Sequence, residues 1–188
     1  MELAYLFGAY SLFFYNFNLA NMNKKIKIFI SVVVIVILVS CLFIVKKVNE
    51  KNRAESIIAK TPAFSFLTLD NHSFSDQNIE NRESMLIFNH FSPNCEHCQY
   101  MAGEFLKDSQ KIKDIKILMI TSADSVSAAK FNSDYKLSLL PNIIILRDTN
   151  YQFQKIFGTG VVPSFFIYEQ NKLVKKVIGE TIIDNLIN

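Results

Sequence analysis

Two cysteines, Cys95 and Cys98, carry the clearest chemistry in this sequence. They lie in the segment FSPNCEHC, which follows a short apolar run and leads into a helix-like stretch. Two intervening residues place their side chains about one helical turn apart, close enough for a disulfide. The spacing therefore predicts a pair of thiols that can be oxidised to a disulfide and reduced again.

The start of the expected helix gives the two thiols different roles. Cys95 would stand at the helix N-terminus, where unpaired backbone N–H groups and the helix dipole favour a thiolate. Cys98 would lie one turn inside the helix and be less exposed. We expect Cys95 to be the attacking nucleophile and Cys98 the resolving thiol.

Other uses of a Cys-x-x-Cys pair have less support. A structural zinc site needs four ligands, and the chain has three cysteines, three histidines and no second pair of this kind. Haem attachment requires a histidine directly after the second cysteine, where Gln99 stands. His90 is interpreted as a strand residue near the site rather than a ligand. Two thiolates could bind Cu(I), so a copper metallochaperone or a non-catalytic binding module remains an alternative. We expect no metal site and no organic cofactor.

A second feature is a proline placed immediately before an apolar strand, in the segment GVVPSFFI. Pro163 cannot donate a hydrogen bond to a sheet, so it belongs at a strand start or at an edge. The segment FNHFSPNCEHC after one strand and VVPSFF before another together resemble the thioredoxin superfamily. The closer resemblance is to its membrane-anchored, extracytoplasmic TlpA/ResA-like branch.

That resemblance covers residues 61–188 and carries several implications. It implies a three-layer α/β/α sandwich with a mixed central sheet, and a cis-proline at Pro163 beside Cys95. The backbone of Val162 would then pair with the extended chain of a protein substrate. It also implies thiol–disulfide oxidoreductase activity, most simply the reduction of protein disulfides. Electrons would come from a membrane or periplasmic thiol donor.

The sequence departs from the family at the expected proton acceptors for the resolving thiol. Asn89 holds the position where thioredoxin has a buried aspartate, and an amide cannot take the proton in that way. Many membrane-anchored relatives use a glutamate three residues after the second cysteine, where Met101 stands. The route for deprotonating Cys98 is therefore left open, and Asn89 is retained only as a supporting residue.

Glu96 and His97, between the cysteines, are two further supporting candidates. His97 could stabilise the Cys95 thiolate, which would stabilise the reduced form and raise the reduction potential. Glu96 would act in the opposite direction. The alternative interpretation is that both are exposed residues of the helix start.

Strand-like and helix-like segments alternate through the second part of the chain. This alternation, followed by a hairpin signal at 169–171, predicts an α/β domain with a mixed sheet. The expected strands are 64–69, 85–91, 115–121, 142–146, 164–168 and 173–179, and the expected helices are 96–110, 123–135, 151–157 and 180–186.

An apolar run near the N-terminus predicts a membrane segment. Residues 28–45 contain no charge and are flanked by lysines on both sides. As a helix they would extend for about 27 Å, close to the hydrocarbon thickness of a bilayer. An uncleaved anchor, a cleaved signal and a lipoprotein modified at Cys41 all remain open. The predicted organisation is an N-terminal extension (1–27), an anchor or signal (28–45), a stalk (46–60) and a thioredoxin-like domain (61–188).

The charge distribution agrees with a membrane-facing first part. Residues 1–60 carry eight lysines and arginines against three acidic residues, whereas residues 61–188 carry twelve against fourteen. The second part has no basic excess, which argues against nucleic-acid binding. We expect a single-pass protein of the bacterial cell membrane with its redox domain on the extracytoplasmic side.

A peroxiredoxin-like peroxide reductase is the remaining alternative, because Ser92-Pro93-Asn94-Cys95 loosely resembles its Thr-x-x-Cys site.

Overall fold

The structure is a computed structural model and describes residues 23–79 and 85–188. The chain divides into two compact units, Met1–Lys51 and Asn52–Asn188. Residues 1–22, most of the predicted N-terminal extension, lie outside the described part of the chain. The domain boundaries given above therefore stay predictions.

Helix α1 contains the predicted membrane segment. It extends over Lys24–Ile58, and the most apolar 18-residue window within Lys24–Asn49 has a mean hydropathy of 3.4 and is not buried. The 26 residues of Lys24–Asn49 give about 39 Å of helix, more than the roughly 30 Å that a bilayer core requires. By length and composition, it is the one helix among the described residues that could cross a membrane. Most of the predicted stalk continues this helix.

The second unit is built on a seven-stranded mixed sheet, counted over the described residues. The strand order is β2-β1-β5-β4-β3-β6-β7. The three central strands β5, β4 and β3 are parallel to one another, and the remaining pairs are antiparallel. The strands are β1 Ser65–Thr68, β2 Ser73–Ser75, β3 Leu86–His90, β4 Lys116–Thr121, β5 Ile143–Arg147, β6 Ser164–Glu169 and β7 Lys172–Ile178.

Helices cover both faces of this sheet and give the domain three layers. One face packs against α2, α3, α4 and α6, and the other packs against α5 and the end of α1. These further helices are α2 Glu96–Lys107, α3 Ser109–Ile112, α4 Ser125–Asp134, α5 Gln152–Phe157 and α6 Asp184–Ile187. The predicted three-layer α/β/α architecture with a mixed central sheet is confirmed.

The structure refines two of the expected elements and adds one strand. The expected helix 96–110 divides at Asp108, which ends α2 and precedes α3. The expected terminal helix begins only at Asp184. Strand β2 was not predicted, because one phenylalanine between two serines is too short to give a clear alternation of burial.

Strand β3 is buried along its whole length and separates the two cores. Ile87 packs in the core beneath α2, whereas Leu86 and Phe88 pack in the core beneath α5. Because side chains alternate along a strand, Asn89 falls on the α2 face and His90 on the α5 face. The parallel strands end at the same edge of the sheet, and the segment that leaves β3 there leads to the two cysteines.

Candidate active site at the start of helix α2

The loop between β3 and α2 positions Cys95. Phe91 continues the strand by donating its N–H to the Ile120 carbonyl at 2.9 Å. The Cys95 N–H then donates to the Ser92 carbonyl at 3.1 Å, which closes a turn. The Gln99 side chain donates to the Pro93 carbonyl at 2.9 Å and ties this turn to the first part of the helix.

Cys95 is the N-cap residue of α2, directly before Glu96. Its backbone is extended, with φ −95° and ψ 117°, and its carbonyl accepts the N–H groups of Cys98 and Gln99 at 3.0 Å each. The side chain therefore stands at the positive end of the helix, where the dipole and free N–H groups favour an anion. This placement matches the sequence-based expectation.

The two thiols have different surroundings. Both are free cysteines in the structure; Cys95 is half-buried, whereas Cys98 is 1% exposed. Burial, together with a hydrogen bond to Cys95, raises the pKa of Cys98 to about 12. Cys98 therefore holds its proton at neutral pH in the dithiol state, while Cys95 is the sulfur that a substrate can reach.

The α2 face of the domain core gives Cys98 this buried position. Cys98, Met101, Ala102 and Phe105 recur at helical spacing on the inner side of α2, and all four are buried. A cysteine one turn inside the helix belongs to this apolar stripe, whereas a cysteine at the N-cap does not. The spacing of the pair thus produces one reactive and one protected sulfur.

The segment before β6 faces Cys95. The Val162–Pro163 peptide bond is cis, as the resemblance implied, and Pro163 is buried. The Cys95 thiol lies 3.9 Å from the Val162 carbonyl oxygen. From the other side, the Gly179 N–H donates to the Pro163 carbonyl at 2.8 Å. Gly179 has φ 96°, a conformation that favours glycine.

Asn89 contacts this segment rather than the resolving thiol. Its amide nitrogen lies 3.3 Å from the Ser164 carbonyl, to which it donates, and 3.4 Å from its neighbour's carbonyl at His90. Met101 is 1% exposed and belongs to the core. Glu104, one turn further along α2, forms an ion pair with Lys107 at 3.0 Å. Asn89 and Met101 hold the two positions where relatives carry a proton acceptor. Here Asn89 forms hydrogen bonds to the backbone and Met101 packs in the core.

Glu96 and His97 are both exposed at the start of α2. The His97 Nδ1 atom lies 2.7 Å from a carboxylate oxygen of Glu180, in the loop after β7. This contact joins the cysteine motif to the residue that follows Gly179, across the two loops of the site. Glu180 could not be predicted as a site residue, since a lone acidic residue after a strand gives no signal of its own.

His90 is a further residue whose role the sequence left undefined. It is 8% exposed, and its ring stacks on Phe153 with 4.5 Å between ring centroids. The strand register places His90 opposite Ser164, at the end of the segment that faces Cys95.

Metal binding finds little support in this geometry. Over residues 23–79 and 85–188, no group of three or more His, Cys, Asp or Glu side chains is arranged to hold a metal ion. Cys41 is exposed on α1 and belongs to the other compact unit. Among the described cysteines and histidines, a copper ion at this site would therefore have only the thiols of Cys95 and Cys98 as ligands.

A half-buried N-cap cysteine, a buried cysteine one turn later and a facing cis-proline define a dithiol site of the thioredoxin type. The thioredoxin family model matches residues 65–161, which include both cysteines and four of the five strands at the centre of the sheet. The chain belongs to the thioredoxin family. No curated protein matches the sequence.

Solved structures support the same fold. A secreted disulfide oxidoreductase of Mycobacterium tuberculosis, described as homologous to E. coli DsbE, has 19% identity and a TM-score of 0.54, covering 63% of this chain and 85% of that one. StoA from Bacillus subtilis has 19% identity and a TM-score of 0.50, covering 68% and 96%. A peroxiredoxin-like protein from Aquifex aeolicus has 12% identity and a TM-score of 0.56, covering 70% and 84%. At these identities, all three show the fold.

Proposed function

We propose that this protein is a membrane-anchored thiol–disulfide oxidoreductase that reduces protein disulfides outside the cytoplasm. The observation that carries the proposal is the pairing of an accessible sulfur at a helix start with a buried sulfur one turn behind it. Each half of that arrangement corresponds to one step of dithiol–disulfide exchange.

In the first step, the Cys95 thiolate attacks one sulfur of a substrate disulfide. A mixed disulfide forms, the substrate S–S bond breaks, and the other substrate sulfur leaves as a thiolate that takes a proton from water. The helix dipole supports the attacking anion. The Val162 carbonyl, 3.9 Å from the Cys95 sulfur, is placed to accept a hydrogen bond from an extended substrate chain.

In the second step, Cys98 loses its proton and attacks the Cys95 sulfur. The Cys95–Cys98 disulfide forms, and the second substrate sulfur leaves as a thiol after taking up a proton. Two electrons have then passed from the protein dithiol to the substrate. Burial raises the pKa of Cys98, so its thiolate is harder to form than that of an exposed cysteine. A membrane or periplasmic dithiol would return two electrons to the protein.

The apolar portion of α1 supports the proposed location. It is long enough to anchor the chain in a membrane, and lysines flank it. Labelling of Cys95 in intact cells by a membrane-impermeant maleimide tests this location, and protection of Cys95 until the membrane is opened would contradict it.

The activity is tested with the full chain in lipid nanodiscs and a peptide that contains one intramolecular disulfide. With dithiothreitol as the electron source, we expect wild type to accelerate peptide reduction and Cys95→Ser to be inactive. Cys41→Ser is the matched control, since it removes a sulfur outside the site, and it should retain wild-type turnover. Absence of turnover combined with tight Cu(I) binding would favour the copper-binding alternative, and peroxide consumption would favour the peroxiredoxin-like one.

A further inference from the structure

We propose that Glu180 is a specificity-determining residue that favours disulfides flanked by a lysine or an arginine. The inference rests on the proposed function and deepens it, since it names a class of protein substrate for the same site. Glu180 takes no part in the exchange of sulfurs. Its carboxylate instead meets the side chains that lie beside the attacked disulfide.

The first observation is where the backbone of Glu180 is held. Glu180 directly follows Gly179, in the loop after β7. The Gly179 N–H donates to the Pro163 carbonyl at 2.8 Å. The backbone of Glu180 is therefore fixed next to the cis-proline segment, whose Val162 carbonyl oxygen lies 3.9 Å from the Cys95 sulfur.

The second observation is the direction of the Glu180 side chain. One of its carboxylate oxygens lies 2.7 Å from Nδ1 of His97, which stands two residues after Cys95 in the first turn of α2. The carboxylate thus extends from the loop after β7 towards the start of α2. A substrate chain that is bonded to Cys95 and paired with Val162 would pass close to it.

The third observation is the charge of the segments that form the site. These segments are 91–98, 161–164 and the loop 179–183 between β7 and α6. Together they contain two carboxylates, those of Glu96 and Glu180, and no lysine or arginine, so with His97 neutral their formal charge is −2. A negative surface attracts basic chains and repels acidic ones, which affects both the rate of encounter and the choice of partner.

The contact between His97 and Glu180 leaves the carboxylate available to a substrate. The two side chains are 70% and 40% exposed, so the pair is weak in water and is screened by salt. It is an ion pair only while the imidazole is protonated. A substrate arginine, which is always charged and can hold both carboxylate oxygens, replaces His97 at little cost. An acidic side chain in the same place meets repulsion.

The experiment compares three peptides that contain the same intramolecular disulfide. They differ only in the residue beside each cysteine, which is arginine, glutamine or glutamate. With the full chain in lipid nanodiscs and dithiothreitol as the electron source, we expect KM to be about three-fold lower for the arginine peptide than for the glutamine peptide, the effect of one exposed ion pair. KM for the glutamate peptide should be higher than for the glutamine peptide.

Two variants of Glu180 and one matched control separate its effect from the intrinsic reactivity of the peptides. Glu180→Gln should bring KM for the arginine and glutamine peptides close together, and Glu180→Lys should reverse the preference in favour of the glutamate peptide. Glu169→Gln makes the same replacement at an exposed position at the far end of β6, and it should keep the wild-type ratio of KM values.

The salt dependence of wild type tests the proposal without any variant. In about 1 M salt, where the screening length is about 3 Å, the arginine and glutamine peptides should have nearly equal KM. A preference for arginine that persists undiminished in this salt would contradict an electrostatic origin.

Three results with the variants would overturn the inference. An unchanged preference in Glu180→Lys would show that this side chain does not meet the substrate. An equal loss of preference in Glu96→Gln would assign the effect to the total charge of the site. An equal loss in His97→Gln, which keeps the carboxylate, would show that Glu180 acts only by holding His97.

Failure of the proposed function would look different. Wild type would then reduce hydroxyethyl disulfide, a small disulfide without a peptide backbone, and none of the three peptides. If wild type reduces all three peptides with the same KM at low salt, the role of Glu180 is wrong and the proposed function stands.

Discussion

Two segments meet at the site and contribute different kinds of groups. The first turn of α2, residues 95–98, contributes sulfur side chains. The segment 161–164 contributes mainly backbone: the Val162 carbonyl faces Cys95, and the Pro163 carbonyl accepts from Gly179. One segment holds the reactive atoms and the other holds the surface against which a substrate chain would align.

The difference determines how each segment can be tested. A sulfur is removed by one substitution, so the role of a cysteine is directly accessible. A backbone carbonyl stays whatever the side chain, so its role is tested only through a residue that holds its segment, here Asn89. We therefore expect large losses from changes in α2 and smaller, substrate-dependent losses from changes around 161–164.

The largest effect is expected from Cys98→Ala. Without the resolving sulfur, the mixed disulfide on Cys95 has no intramolecular attacker, and the advantage of a neighbouring nucleophile is lost. Turnover of the peptide disulfide should fall by at least about 1000-fold. At the same time, non-reducing gels of membranes that contain the variant should show proteins held on Cys95.

The same preparation of Cys41→Ser, which keeps both site thiols, should show few such adducts. Unchanged turnover in Cys98→Ala would mean that the buried thiol does not resolve the intermediate. The difference in role between the two sulfurs would then disappear.

The next effect concerns the stability of the reduced protein in alkali. Burial raises the folded-state pKa of Cys98 above its ordinary value of 9.0, so the native state keeps a proton that the unfolded chain releases. The stabilising contribution is complete below pH 9 and is lost as the pH rises towards the folded-state pKa. Between pH 7 and pH 10.5, reduced wild type should lose about 2 kcal/mol more than reduced Cys98→Ala.

Urea denaturation at pH 7 and at pH 10.5, with dithiothreitol present, measures this difference. Tyr168, whose pKa burial also raises, is common to both proteins and cancels in the comparison. Equal alkaline losses in the two proteins would show that Cys98 is not held in an apolar environment.

Asn89 offers an intermediate effect and a test of the backbone segment. Asn89→Leu removes the donor to the Ser164 carbonyl and should cost about 1–3 kcal/mol of unfolding free energy. Asn142→Leu is the matched control, because that amide also donates to two carbonyls, those of Ile112 and Ile115, away from the site. Both variants should lose stability, and only Asn89→Leu should raise KM for the peptide disulfide. A similar rise in Asn142→Leu would trace the effect to general loosening of the fold.

The sequence predicted the two cysteines at the start of α2 well, and it predicted the residues around them less well. The cysteine spacing and the apolar strand before it carry local signals, so the positions and unequal burial of Cys95 and Cys98 could be predicted. Pro163 was found because a proline before an apolar strand is rare and a family resemblance gave it meaning.

The partners of the backbone segment carried no comparable signal. An asparagine in a buried strand gives no partner by itself, and the contact of Asn89 with the Ser164 carbonyl depends on the β3–β6 register. Glu180 is distant from His97 in sequence and meets it only because β7 ends beside α2. Such contacts arise from tertiary geometry, which local periodicity does not encode.

The smallest effect is expected from the His97–Glu180 pair at the surface, which joins the first turn of α2 to the loop after β7 whose Gly179 N–H supports the segment 161–164. The side chains are 70% and 40% exposed, so solvent and salt screen their attraction despite the 2.7 Å contact. A double-mutant cycle of His97→Gln and Glu180→Gln should give a coupling below about 1 kcal/mol in unfolding free energy. The coupling should approach zero in 1 M salt, where the screening length is about 3 Å. A larger, salt-resistant coupling would show that the two segments are locked together by side chains as well as by β3, and the division between a chemical segment and a backbone segment would have to be given up.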